Sequence, residues 1–185
     1  MNYLKQLKVL VIEPGKYLAG IVRDALQNAL GIPAVFQCAS ATEGLEIASV
    51  VRVNLLLVKI DSDCPDGLPF VERIRSGVAE IPQDLPIVAM TAAPTRCIVE
   101  RLRDLGVNEI LALPITPKAL TQRIQSVFEH PRDWVVSEAY VGPDRRRKKG
   151  GLHQGPERRG TDDAPLLTDQ LENPEPRPPV SHLRA

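Results

Sequence analysis

Four short stretches set polar or charged groups directly behind apolar runs. They are Glu13–Pro14 after Lys8–Ile12, Lys59–Asp66 at the end of 54–59, Thr91–Ala92 after 86–90, and Leu113–Pro114 at the end of 109–113. A carboxylate (Glu13), an ammonium (Lys59), two loop carboxylates (Asp61 and Asp63) and a hydroxyl (Thr91) therefore stand at the margins of otherwise aliphatic segments. If those segments are parallel strands, all of these groups fall at strand carboxyl ends, where sheets of this class carry their ligands and chemistry.

A second set lies near the C-terminus. Gly142-Pro143-Asp144-Arg145-Arg146 recurs thirteen residues later as Gly155-Pro156-Glu157-Arg158-Arg159. Between Gly142 and Gly160, seven basic residues (Arg147, Lys148 and Lys149 among them) face two acidic ones, a local charge of 7 − 2 = +5 in a chain whose total is zero. The arginine fork binds phosphate bidentately, pairs with the guanine edge and stacks on bases. Asp144 or Glu157 could accept hydrogen bonds from guanine. The plainer alternative is a solvated basic run, or a nonspecific contact with nucleic acid or acidic lipid.

The elements that must position the first set follow from hydrophobic spacing. Lys8–Ile12, Ala34–Cys38, 54–59, 86–90 and 109–113 are short apolar runs. Between them, apolar residues repeat at helical intervals: Leu18, Ile21, Val22, Ala25 and Ala29, then Leu45 and Ile47, Phe70 and Ile74, Ile98, Leu102 and Leu105, and finally Leu120, Ile124, Val127 and Phe128. Ser40 with Glu43 forms a capping box, Thr116 followed by Pro117 opens the last helix, and Gly31 and Gly106 stand where helices stop. Five β-α units without alternation in the strands predict an α/β fold: a five-stranded parallel sheet, doubly wound, with helices on both faces.

Residues 1–130 are expected to form that domain. From Pro131 onward the pattern changes: eight of the 17 prolines lie there, Pro131 included, and apolar periodicity ends by Val141. The reading is a linker over 131–141, with Trp134 as an anchor on the domain, and a disordered tail over 142–185. Three widely spaced cysteines without a C-x-x-C pattern point to a reduced protein without a metal site or cofactor. The N-terminal apolar run is too short for a signal peptide, and no stretch approaches the roughly 18 apolar residues of a membrane span. A cytoplasmic location is expected.

VLVIEPGKYLAGIVRDAL, PDGLPFVERIR, PIVAMTA and LALPIT, in that order, resemble the CheY-like receiver domain of bacterial response regulators over roughly residues 7–129. The resemblance implies a phosphoryl-accepting site. It would comprise two carboxylates holding magnesium after the first strand, an Asp at the end of the third, a Ser or Thr after the fourth, and a Lys before the proline after the fifth. Here Glu13 is followed by Pro14 in place of the second carboxylate. Counting back from Asp66-Gly67 puts Lys59 at the acceptor position, Thr91 is kept, and Leu113 replaces the Lys before Pro114. Ile110 stands where the family often has a switching aromatic.

These departures imply a degenerate receiver in which Lys59 reaches Glu13 and substitutes for the missing cation; the alternative is that Lys59 snorkels to solvent and contacts nothing. Asp61 or Asp63 as phosphoacceptor is the rival, although loop carboxylates are usually solvated. The protein is expected to act by binding rather than catalysis, meeting a partner protein through its last two strands and helices. The basic tail resembles, more loosely, arginine-rich extensions by which some CheY-like proteins bind cyclic di-GMP. Asp144, Arg145, Arg146, Arg147, Glu157, Arg158 and Arg159 would carry that contact. Nucleic acid is the less favoured ligand.

Overall fold

Leu55–Lys59 is buried at every position, which requires cover on both faces of the strand and so a central place in a sheet. The structure is a computed structural model, and it describes residues 3–61, 64, 66–79 and 81–145. Within it β1 (Lys8–Ile12), β2 (Ala34–Cys38), β3 (Leu55–Lys59), β4 (Ile87–Thr91) and β5 (Glu109–Ala112) form one parallel sheet in the order β2-β1-β3-β4-β5. The helices are α1 (Lys16–Asp24), α2 (Ala41–Val50), α3 (Gly67–Arg75), α4 (Arg96–Asp104) and α5 (Pro117–Glu129).

Alternation within each strand divides the core in two. Val9, Leu55, Leu57 and Val88 pack with Val22 of α1 and Leu120 and Ile124 of α5. Leu10, Leu56, Val58 and Ile87 pack with Phe70 and Ile74 of α3 and Leu102 of α4. This is the doubly wound α/β arrangement that the sequence predicts.

The helix ends follow the expected local chemistry. Ser40 Oγ accepts from the Glu43 N–H (3.2 Å), and Glu43 Oε2 accepts from the Ala39 N–H (3.0 Å), so the box closes one residue before the cap. Thr116 Oγ1 accepts from the Ala119 N–H at 3.2 Å, and Pro117 opens α5. Gly106 follows α4 at φ 77°, a conformation that disfavours other residues. One departure from the spacing is that α1 widens into a π-helical turn over Ala25–Ala29.

The linker read over 131–141 is corrected by the structure. Trp134–Ser137 (β6) and Tyr140–Pro143 (β7) form an antiparallel hairpin, so folded structure also extends past the expected start of the tail at residue 142. A lone two-stranded hairpin is marginal in water, and this one is held by docking. The buried Arg75 guanidinium lies under Trp134, 5.1 Å from the ring centroid. Arg75 also donates to the carbonyls of Gly106 (3.0 Å) and Leu85 (2.9 Å) and to Asn108 Oδ1 (3.2 Å). Gly142 sits so close to Gly106 that a Cβ on it would come within 2.6 Å of the Gly106 Cα. The two-residue turn, Glu138-Ala139, has none of the Gly or Asn that marks such hairpins in sequence.

Candidate functional site

Glu13 follows β1 directly and is 3% exposed. Its Oε1 accepts from the Gly15 N–H (2.7 Å) and stands 3.5 Å from the Lys59 ammonium at the end of β3. The two side chains are 0% and 11% exposed, so this is a buried ion pair. Oε2 is buried and has no hydrogen-bond partner among the described residues. The pair that the residue types suggested is present.

Lys59 ends β3, and the Asp66-Gly67 step from which it is counted lies close by. A Cβ on Gly67 would collide with the Lys59 carbonyl oxygen, so the Asp66-Gly67 step lies against the very end of β3. Pro14, half-buried beside Glu13, offers no side-chain donor or acceptor.

Asp61 departs from the expectation of a solvated loop carboxylate. Its Oδ1 accepts from the Thr91 hydroxyl at 2.8 Å, and the Ala92 N–H is shared between Oδ1 (3.1 Å) and Oδ2 (2.9 Å). Thr91 is buried, and its Oγ1 in turn accepts from the Ala93 N–H (3.2 Å). The hydroxyl and amide at the end of β4 are thus already occupied by a carboxylate from the β3 loop.

Leu113 packs against the core beneath α5, and Ile110 against the core beneath α4. Neither brings a charged group to the site. Asp63, Arg146, Arg147, Glu157, Arg158 and Arg159 lie outside the described residues.

The first copy of the repeated motif can be followed through Arg145. Gly142 and Pro143 belong to β7, and the Asp144 N–H donates to the Asp133 carbonyl at 2.7 Å. Arg145 Nη1 lies 3.2 Å from Asp104 Oδ1, and its guanidinium stacks 3.8 Å from the Tyr140 ring centroid. The Gly-Pro pair serves the hairpin, and Arg145 reaches the end of α4 rather than the strand-end site.

Magnesium prefers near-octahedral oxygen coordination, supplied by carboxylates and water. Among the described residues the strand ends offer it two carboxylates, Glu13, shared with an ammonium and an amide, and Asp61, engaged by Thr91 and Ala92, and the ammonium would repel it. This donor set does not fit the ion. Among the described residues no group of three His, Cys, Asp or Glu side chains could hold a metal. Cys38 is not a reactive thiol: burial first, then the nearby Glu43, pushes its pKa up to about 11. No helix of the described residues is long and apolar enough to cross a membrane.

Residues 9–125 match the response regulator receiver domain. The probable chemotaxis protein CheY of Rhizobium etli is 24% identical over 128 residues, covering 69% of this chain and 97% of that protein. Response regulator PleD of Caulobacter vibrioides is 31% identical over 93 residues, covering 50% of this chain and 20% of PleD. Among solved structures, chemotaxis protein CheY4 of Vibrio cholerae superposes with a TM-score of 0.59 at 23% identity, covering 66% of this chain and 98% of that one. At that identity the likeness speaks for the fold.

Proposed function

The chain belongs to the response regulator receiver domain family of two-component signalling, and from that premise we propose that this receiver works by protein binding without ever taking a phosphoryl group. One observation carries the reading: the Asp61 carboxylate is seated on the Thr91 hydroxyl and the Ala92 N–H. In the receivers that this sequence resembles, the Ser or Thr of that position hydrogen-bonds the phosphoryl oxygens. A carboxylate brings negative charge and acceptor oxygens to the same donors, so Asp61 serves as a built-in stand-in for the modification.

The other half of the site supports the same reading. Lys59 holds the acceptor position, and its ammonium neutralises Glu13 as a metal ion would otherwise do. Phosphoryl transfer depends on positioned positive charge around the moving group, usually a metal. With the Asp61 oxygens engaged by Thr91 and Ala92 and the Lys59 ammonium set against Glu13, Asp61 is a poor acceptor. Output then passes to a partner protein across β4, α4, β5 and α5 whether or not a phosphodonor is present.

Binding of cyclic di-GMP through the basic extension is the competing reading. The structure weakens it for the first motif copy, whose Gly-Pro builds β7 and whose Arg145 is paired with Asp104.

The test is intact-mass analysis of the full chain after incubation with acetyl phosphate and magnesium. The mass should stay unchanged. A gain of one phosphoryl group, mapped to Asp61 or Asp63, overturns the proposal.

A further inference from the structure

The segment after α5 lies beyond the family match, which ends at residue 125, and it walls a cavity of about 310 Å³. Pro131, Arg132 and Trp134 come from that segment, while Asp84, Pro86 and Asn108 come from the loops that lead into β4 and β5. The cavity is therefore at the other end of the strands from Glu13, Lys59, Asp61 and Thr91. Its volume falls within the range of about 300–1,000 Å³ usual for small-molecule sites.

Apolar wall and open hydrogen-bond donors meet in this cavity. Trp134 is half-buried, and the Arg75 guanidinium that covers one side of its ring is not part of the lining. The indole thus turns a different side to the cavity, where Pro86 and Pro131 add further apolar wall. Arg132 donates to the Asn108 carbonyl (2.6 Å) and to Glu109 Oε1 (3.2 Å), both through Nη2, so the N–H groups of Nη1 and Nε remain. Asn108 Oδ1 accepts from the Ile87 N–H (2.9 Å) and from Arg75 (3.2 Å). Those bonds fix the amide plane and leave its two Nδ2 donors without a partner among the described residues. Side chains already held in place lose little freedom when a ligand arrives. Around the cavity Arg75, Arg123 and Arg132 stand against Asp84 and Glu109, a charge of 3 − 2 = +1.

We propose that this cavity binds a small aromatic carboxylate, its ring against Trp134 and the two prolines and its carboxylate on Arg132 and the Asn108 amide. A guanidinium fork and a carboxylate match in geometry, and a single negative charge balances the excess of one. A second negative charge on the ligand would meet Asp84, an exposed carboxylate that takes no hydrogen bond among the described residues. The ligand touches the receiver core through Asn108 and the hairpin segment through Arg132 and Trp134, so its binding ties one to the other. The chain thereby gains an input separate from the strand-end site. The inference stands whether or not Asp61 takes a phosphoryl group.

Trp134 is the one tryptophan of the chain, so its fluorescence reports on the cavity directly. The experiment titrates benzoate and 4-hydroxybenzoate into the full-length chain. Benzyl alcohol and cyclohexanecarboxylate serve as controls that lack the charge and the aromatic ring. Nuclear magnetic resonance spectra of the amides and the indole N–H are recorded alongside. The two aromatic acids should give a saturable change, at an affinity about tenfold or more above either control. Shifts should fall at Asn108 and Trp134, and the melting temperature should rise with ligand concentration. Arg132→Gln should weaken binding about tenfold. Asp84→Asn breaks no hydrogen bond among the described residues and removes a like charge, so it should tighten binding about twofold. A gain in affinity separates this charge effect from damage to the fold, which only weakens binding.

Fluorescence that falls linearly with every compound and never saturates overturns the proposal. So does a control that binds as tightly as benzoate, or binding that Arg132→Gln leaves unchanged or Asp84→Asn weakens. Shifts confined to Thr91, Ala92 and the loop after β3 put the ligand at the strand-end site, and that result overturns it as well.

Discussion

Replacing Lys59 with Met removes the cation from a buried pair and leaves its partner behind. At 3.5 Å and an effective dielectric of about 20, the Lys59–Glu13 attraction is about 5 kcal/mol before the cost of burying both charges. After the change, Glu13 keeps the Gly15 N–H at 2.7 Å, while its Oε2 still has no partner among the described residues. Orphaning one member of a buried pair costs about 3–5 kcal/mol, a large share of the roughly 5–15 kcal/mol of a whole domain. Glu13→Gln should cost less, about 1–2 kcal/mol, because the amide oxygen still accepts from Gly15 and the Lys59 ammonium, on an 11% exposed side chain, can turn to solvent. The double variant Lys59→Met/Glu13→Gln should recover part of the loss, giving a coupling of about 2–3 kcal/mol. Urea unfolding followed by circular dichroism measures all four corners of the cycle. If Lys59→Met costs less than about 1 kcal/mol, or if the two changes simply add, Lys59 does not hold Glu13 and the reasoning fails.

Three more predictions concern the rest of the molecule. Arg75→Met leaves the carbonyls of Gly106 and Leu85 and the Asn108 amide oxygen without their buried donor. It should cost about 4 kcal/mol or more, and hydrogen exchange should show amides of Trp134–Pro143 losing protection. Ending the chain at Val141 cuts β7 in two and removes Arg145. That version should melt below one ending at Lys148, and equal melting temperatures would mean that the hairpin contributes nothing. The Cys38 thiol, with its pKa pushed up to about 11, carries little thiolate near pH 8 and gains it only as pH rises toward 11. Peptide mapping after iodoacetamide treatment should therefore find exposed Cys97 alkylated well before Cys38.

The sheet and its helices were legible because each strand is a short aliphatic run and each helix carries an apolar face at helical spacing. The caps at Ser40 and Thr116 were equally local, since each needs only its own residue and the one three positions on. The place of Lys59 is legible by counting back from Asp66-Gly67, a step that packs against the Lys59 carbonyl at the end of β3. The bonding of Asp61 was not legible: it depends on the path of the loop after β3, which brings the carboxylate back over β4. The hairpin escaped notice because its turn, Glu138-Ala139, has no hairpin chemistry and its stability comes from Arg75 and Gly106, far away in sequence. Arg103 of α4, Arg123 of α5, and Arg132 and Arg145 beside the hairpin gather near β5, so no single window of sequence contains that cluster.

The central claim is that Asp61 occupies the place a phosphoryl group would take. Amide nuclear magnetic resonance spectra test it most directly, recorded on the wild-type chain, on the same chain with acetyl phosphate and magnesium, and on Asp61→Ala. The account predicts that phosphodonor leaves the wild-type spectrum unchanged. Asp61→Ala should shift the amides of Thr91, Ala92 and Ala93 and propagate into α4 and β5. A wild-type spectrum that moves with phosphodonor, or an Asp61→Ala spectrum unaltered around Thr91, would contradict it.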